Sequence, residues 1–269
     1  NTYEVTGGDG AFCHISESDP TIQLTSYVYN NIYFSSNGGN GFQRITYDNS
    51  GRFINPSDFD SQSNILYSAK DENNIKRTII NNGNISESDI SISLGSKASN
   101  IKVSPFTENT ILVGTGAGRI FKINSSDQDS PSIIELTGTN LPYGYISCIE
   151  FAENEDKIAI SFSNYGISSI WETTDGGMTW FNKEGNLPDM PVRWLLYNPS
   201  NNNQVVLATE VGVWVSNNFS ESSPSWQSSN SGLANVRVDM LQIRNSDKLL
   251  IAATHGRGLF SSDAFQNSP

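Results

Sequence analysis

The chain has few cysteines, few basic residues and no long apolar run, and each shortage excludes a class of protein. With only Cys13 and Cys148 in 269 residues it is no disulfide scaffold. We expect two separate small core residues, with a single bridge between them as the alternative. Sixteen Lys and Arg against 28 Asp and Glu give a net charge of −12. This argues against nucleic-acid partners and against docking on an anionic membrane. No apolar run approaches the roughly 20 residues of a membrane-spanning helix.

Signatures of cofactor and metal chemistry are also missing. GTGAGR (114–119) has the glycines of a phosphate-binding loop. Such a loop must open a helix, whereas here the strand-like RIFKI (119–123) follows, so the sequence predicts a glycine-rich β-turn. His14 and His255 have no metal-ligand spacing with the two cysteines. We therefore expect neither a cofactor nor a metal.

What the sequence does contain is a repeat. A short apolar segment ending in a small or hydroxyl residue occurs six times, at intervals of 43, 47, 46, 48 and 45 residues. The six segments end at Thr25, Ser68, Thr115, Ser161, Thr209 and Thr254. The fourth repeat shows the internal pattern, with four short strands expected at 145–152, 157–162, 167–173 and 179–184.

Four strands in a repeat of about 40 to 50 residues are typical of a β-propeller blade. The sequence thus predicts an all-β fold, a propeller of six four-stranded antiparallel blades forming a single domain over 1–269. The last repeat lacks a fourth strand, so TYEV (2–5) is expected to pair with GLFSS (258–262) and close the ring. Seven blades, or part of a larger propeller, stay open. The start at Asn1 suggests a piece of a longer precursor with covalent neighbouring domains.

The segment between the third and fourth strands, which we call the 3–4 turn, is best developed in TTDGGMTW (173–180). Asp175 is expected to accept hydrogen bonds from its own turn, and Gly177 to allow a positive φ. Thr179 adds a hydroxyl, and Trp180 is expected to pack between blades. The first repeat has SSNGGNGF (35–42), with Asn37 and Phe42 at the Asp and Trp positions. The fifth keeps Trp226 without the glycines.

These turns resemble the Asp-box, or BNR, repeat of sialidase-like propellers, and the resemblance covers essentially the whole chain. GGDG (7–10) and ATHGRGLF (253–260) are similar to motifs of secreted, multidomain Asp-box proteins of Bacteroidota, many of them exported by type IX secretion. The resemblance implies a secreted or cell-surface bacterial protein. It also implies that the box residues, Asp175 included, are structural.

Candidate binding residues follow from strand direction. Because strands alternate within a blade, the turns between second and third strands (the 2–3 turns) share a face with the linkers between blades. This face is expected to carry Asp9, Arg119, Tyr143, Glu210, His255 and Arg257. Asp9 and Arg257 are expected to approach each other when the ring closes, as a clasp or as the frame of a pocket.

The function expected from these residues is a non-catalytic module that binds a glycan or a protein. The alternative is a glycoside hydrolase of the xyloglucan-hydrolase or sialidase type, for which Asp9 is the one weak catalytic candidate. The F/Y-R-I-P motif that sialidases carry is absent, since GFQRIT (41–46) does not match it. A purely structural domain of an adhesin is the third possibility.

Overall fold

The computed structural model describes residues 4–81 and 83–266. In these residues every regular element is a strand, and 23 strands form six antiparallel sheets. Each sheet runs in chain order and corresponds to one sequence repeat. The predicted fold class, a six-bladed β-propeller, is confirmed. The chain also divides into two compact units of three sheets each, Asn1–Glu135 and Leu136–Pro269, which are described in turn.

The first unit contains sheets one to three, and the first strand of the third sheet packs against the second sheet. Its buried apolar side chains form two clusters, one between sheets two and three and one between sheets one and two. The strands are β1 (Cys13–Ile15), β2 (Gln23–Ser26), β3 (Ile32–Ser35), β4 (Gln43–Arg44), β5 (Ser57–Asp60), β6 (Ile65–Ala69), β7 (Asn74–Asn81), β8 (Asn84–Ser91), β9 (Ala98–Val103), β10 (Thr110–Thr115), β11 (Ile120–Asn124) and β12 (Ser132–Glu135).

The second unit contains sheets four to six, and the first strands of neighbouring sheets pack against each other. Apolar clusters fill the space between sheets four and five and between sheets five and six. The strands are β13 (Ile146–Phe151), β14 (Ile158–Phe162), β15 (Ile170–Thr173), β16 (Phe181–Asn182), β17 (Val192–Asn198), β18 (Asn201–Thr209), β19 (Gly212–Ser216), β20 (Trp226–Ser228), β21 (Val238–Arg244), β22 (Leu249–Thr254) and β23 (Gly258–Ser262).

The second strands explain why the repeat was visible in the sequence. Every residue of β6, β10 and β14 is buried. A strand covered on both faces reads as a continuous apolar run rather than an alternating one. The outermost strands show the opposite pattern: all four residues of β12 are exposed, and β16 is only two residues long.

The predicted closing strand lies partly outside the described residues. TYEV begins within residues 1–3, which lie outside the described residues, while Glu4 and Val5 are not in a strand. The sixth sheet contains three strands among the described residues, β21, β22 and β23. Closure by the N-terminal segment therefore stays a prediction. Both cysteines are free thiols; Cys148 is buried as expected, whereas Cys13 is exposed and is not a core residue.

Candidate functional site

The loops that position the candidate residues are tied together by one recurring backbone hydrogen bond. In each case an amide at the end of the second strand or in the 2–3 turn donates to a carbonyl of the linker that precedes the same sheet. The pairs are Ala69 to Pro56 (3.1 Å), Gly116 to Lys97 (3.4 Å), Ser163 to Tyr145 (3.1 Å), Glu210 to Pro191 (3.2 Å) and His255 to Arg237 (2.9 Å). The 2–3 turns and the linkers therefore lie side by side in each unit.

In the fourth sheet this arrangement presents two tyrosines to solvent. The Tyr145 amide donates to the Asn164 side chain at 2.6 Å, which holds the linker against the 163–169 turn. Gly144 permits the close approach, since an added Cβ would stand 2.7 Å from Ile167 Cδ1. Tyr143 on the linker is 83% exposed and Tyr165 on the turn is 64% exposed.

Two carboxylates brace the same turn from the linker that leads to the fifth sheet. Asp189 accepts a hydrogen bond from the Gly166 amide at 2.8 Å, and Glu184 accepts from the Ser169 and Ile170 amides at 2.6 and 3.2 Å. Burial raises the pKa of Glu184, and the nearby Asp189 charge adds to the shift. The turn that carries Tyr165 is thus held at two of its own backbone amides and at the amide of Ile170, the first residue of β15.

The fifth and sixth sheets carry ion pairs at equivalent positions with the charges exchanged. Glu210 accepts from Arg193 Nη2 at 2.7 Å. At the corresponding positions of the next repeat, Asp239 lies 3.4 Å from His255 Nδ1 and also accepts from Arg237 Nε at 2.6 Å. Both arrangements are partly exposed. Glu210 is therefore engaged by a neighbour, and His255 stands beside a carboxylate.

In the first unit the guanidinium of Arg119 is engaged by contacts within its own sheet and the preceding linker. Its guanidinium makes a bidentate pair with Glu135, at 2.8 and 2.7 Å, and donates to the carbonyls of Ser93 and Leu94. The hydrogen bond to Glu135 raises the pKa of Arg119. GTGAGR joins β10 and β11 as a hairpin, as the sequence predicts. Arg119 therefore fastens its turn to the outer strand.

The other candidates on this face are exposed. Asp9 lies in the segment before β1 of the first unit, and Arg257 lies in the turn between β22 and β23 of the second. Their pairing stays a prediction.

Tyr165 was missed by the sequence analysis. The signal available was its place in SNYG (163–166), between the second and third strands of the fourth repeat.

The 3–4 turn of the fourth sheet is closed by its own side chains. Asp175 Oδ1 accepts from the Thr179 amide at 2.9 Å and from the Thr173 hydroxyl at 2.7 Å, and Oδ2 accepts from the Thr179 hydroxyl at 2.6 Å. These bonds lower the pKa of Asp175 to about 2. Gly176 and Gly177 have φ of 70° and 92°, which glycine adopts without strain.

Trp180, at the end of that turn, is 2% exposed and donates its indole N–H to the Leu136 carbonyl at 2.7 Å. Trp226 repeats the arrangement 46 residues later, donating to the Lys183 carbonyl at 3.1 Å. In the first sheet Ser35 donates to Asn37, and the Gly39 amide donates to Ser35.

The fifth sheet contains a 3–4 turn whose hydrogen-bonding residues could not be recognised from the sequence. Asn218 accepts from the Ser216 hydroxyl at 3.1 Å and from the Ser225 amide at 2.8 Å, which are the bonds that Asp175 makes to Thr173 and Thr179. Extra residues between Asn218 and Ser225 break the spacing of the motif, so the equivalence was not visible. The hydrogen-bonding role survives the loss of the glycines and of the carboxylate.

Within residues 4–81 and 83–266 no group of three or more His, Cys, Asp or Glu side chains is arranged to hold a metal ion. Across the same residues, no helix has the length and apolarity of a membrane span. Searches with this chain against protein-family models and against curated proteins give no match.

Proposed function

We propose that the chain is a non-catalytic binding module of a secreted or cell-surface protein, with a glycan or a protein segment as its ligand. The observation that carries the proposal is the pair Tyr143 and Tyr165. Two large rings stand in solvent on loops that hydrogen bonds hold in place. Tyrosine offers apolar contact area and a polar hydroxyl at low entropic cost, which suits recognition of sugars and of proteins.

The surrounding charges support the same reading. Glu210 is paired with Arg193, and Asp239 with Arg237, so both of these carboxylates are engaged by neighbouring cations. The net charge of −12 disfavours a polyanionic ligand such as nucleic acid. The resemblance of the 3–4 turns to the Asp-box adds to the proposal, because those turns occur in secreted propellers.

Glycoside hydrolysis is the second candidate, favoured by Glu184 and Asp189. A carboxylic acid of raised pKa beside an ionised carboxylate is the combination that glycosidases use. Burial and the Asp189 charge both raise the pKa of Glu184. Here, however, both carboxylates accept hydrogen bonds from the backbone amides of the 163–170 loop. Their local role in bracing that loop is therefore already accounted for.

Three variants test the proposal: Tyr143→Ala, Tyr165→Ala and the double change, with Tyr47→Ala as the matched control. Tyr47 is 73% exposed but lies in the first unit, under the Arg44 guanidinium. On a glycan array and a panel of immobilised extracellular proteins, we expect the double variant to lose its signal, at least about tenfold, because each exposed anchor contributes of order 1 kcal/mol or more. Tyr47→Ala should bind as the parent does.

Three results would contradict the proposal. Undiminished binding by the double variant would remove the tyrosines from the site, and silence on every array would favour a purely structural domain. Hydrolysis of 4-nitrophenyl glycosides that disappears in Asp189→Asn would replace binding by the glycosidase alternative.

A further inference from the structure

A cleft of about 390 Å³ opens at the other end of the second unit, where the 3–4 turns of sheets four and five lie. This volume falls within the range of small-molecule sites, about 300–1,000 Å³. Its lining comes from both sheets: Lys157, Glu172, Thr174, Phe181, Asn182, Lys183, Ser220 and Ser222. None of these residues belongs to the loop face that carries Tyr143 and Tyr165.

The floor of the cleft is a buried ion pair. Lys183 Nζ lies 3.2 Å from Glu172 Oε2, with the two side chains 6% and 4% exposed. The ammonium also donates to the carbonyls of Phe219 (3.1 Å) and Glu221 (2.9 Å). The N–H donors of this ammonium are therefore all used within the protein, and the Glu172 carboxylate balances its charge.

Glu172 is held in place but keeps capacity to accept further hydrogen bonds. Tyr197 donates its hydroxyl to Oε1 at 3.0 Å, and burial beside this carboxylate raises the pKa of Tyr197 well above its usual value. An ionised carboxylate has about four acceptor positions. The floor thus offers a fixed acceptor to a ligand's hydroxyl and no unpaired cation to a ligand's anion.

The wall supplies an aromatic face. Phe181 is 53% exposed and stands directly opposite Glu172 in the register of β15 and β16, so ring and carboxylate lie on the same side of the fourth sheet. Within the described residues the hydroxyls of Thr174 and Ser222 make no hydrogen bond to the protein and are available to a ligand. An apolar ring beside fixed acceptors and free hydroxyls matches a sugar, which has a C–H face and an edge of hydroxyls.

We propose that this cleft binds a neutral sugar unit of a glycan, with Phe181 against the ring and Glu172 accepting from a hydroxyl. A neutral sugar is favoured over an acidic one because Lys183 is already committed to Glu172 and to carbonyls. Lys157 lies at the cleft 3.3 Å from Glu153 and is likewise paired. The site is separate from the tyrosine face, so neither proposal depends on the other.

Saturation-transfer NMR on the whole chain tests this directly, with the methyl glycosides of glucose, galactose, mannose and xylose as probes and methyl glucuronide as the charged comparison. At least one neutral glycoside should give a signal. Phe181→Ala should weaken it by at least about tenfold, whereas Phe181→Tyr should keep it. Phe181 is half exposed on an outer strand, so Phe181→Ala should retain the parent's melting temperature. Tyr47→Ala, at an exposed tyrosine of the first unit, should leave the signal unchanged.

Three results would overturn the site: no signal from any neutral glycoside, a signal indifferent to Phe181→Ala, or a glucuronide signal equal to the neutral one. The second of these results, combined with loss of the signal in Tyr143→Ala, would in addition support the tyrosine face.

Discussion

Arg77 in the first unit and Lys183 in the second are buried cations that perform the same task with different chemistry. In the first unit Arg77 on β7 donates Nη1 to the carbonyls of Ser126 and Gln128, at 2.9 and 2.8 Å. In the second, Lys183 after β16 donates to the carbonyls of Phe219 and Glu221. Each cation reaches from one sheet into the 3–4 turn region of the next.

The two differ in their counter-ion. The carboxylate beside Lys183, Glu172, is 4% exposed, whereas Asp129 beside Arg77 is 99% exposed. Arginine spreads its charge over five N–H donors that carbonyls and the Ser88 hydroxyl can satisfy, while lysine is a compact point charge. We call the link that Lys183 makes between two sheets the lysine tie, and the link that Arg77 makes the arginine tie. The comparison indicates that the lysine tie depends on a buried counter-ion and that the arginine tie does not.

The largest effect is expected from removing Lys183. Lys183→Met leaves Glu172 buried without its cation, which should lower the free energy of unfolding by about 3–5 kcal/mol. Arg77→Met leaves unpaired carbonyls but no buried charge, so the loss should be smaller, about 1–3 kcal/mol. Urea denaturation of the two variants measures the difference.

The double variant Lys183→Met/Glu172→Gln serves as the control. It removes the stranded charge and keeps an acceptor for the Tyr197 hydroxyl. It should recover most of the stability that Lys183→Met loses. Equal losses in Lys183→Met and Arg77→Met would break the comparison.

The repeat explains how much of this could be foreseen. Second strands such as β14, buried on both faces, leave an apolar run in the sequence, and their spacing predicted the sheets. The turn bonds of Asp175 and the packing of Trp180 follow from local residue types. Lys183 and Glu172 were not foreseen, because charged residues are normally exposed and only the packing of two sheets buries these.

The binding-face residues divide along the same line. Strand alternation predicts Tyr143 beside a 2–3 turn, because that placement depends only on topology. It could not reveal that Arg119 is paired with Glu135, since the partner lies 16 residues away on an outer strand. Asn218 was hidden by the extra residues of its turn. The repeat period alone cannot predict side-chain pairs that form across a sheet.

Asp175 extends the comparison to a carboxylate that hydrogen bonds hold in place of a cation. We expect its effect on stability to be of intermediate size. Hydrogen bonds from Thr179 and Thr173 lower the pKa of Asp175 to about 2, below its ordinary value of 3.8. The folded state therefore gains from the ionised form above about pH 4, and loses this contribution as the pH falls from about 4 to 2.

Asp175→Asn should therefore lose less stability than the parent between pH 5 and pH 2.5, measured by urea denaturation at both values. Asp247→Asn is the matched control: Arg244 lowers the pKa of Asp247 to about 2 at a partly exposed position. If the Asp175→Asn protein lost as much stability as the parent over this pH range, the negative charge of Asp175 would contribute nothing to the stability of the turn.

The smallest effect is expected at Asp129, and it tests the arginine half of the comparison alone. Arg77 Nη2 lies 3.2 Å from Asp129, but that carboxylate is solvated, and exposed ion pairs contribute only about 0–1 kcal/mol. Asp129→Asn keeps an acceptor oxygen near the guanidinium and removes only the charge. Its free energy of unfolding should stay within about 1 kcal/mol of the parent's and should depend on salt no more than the parent's does. If Asp129→Asn instead cost as much as Arg77→Met, the exposed carboxylate would be an essential partner. The arginine tie would then need its counter-ion as the lysine tie does, and the distinction between the two would fall.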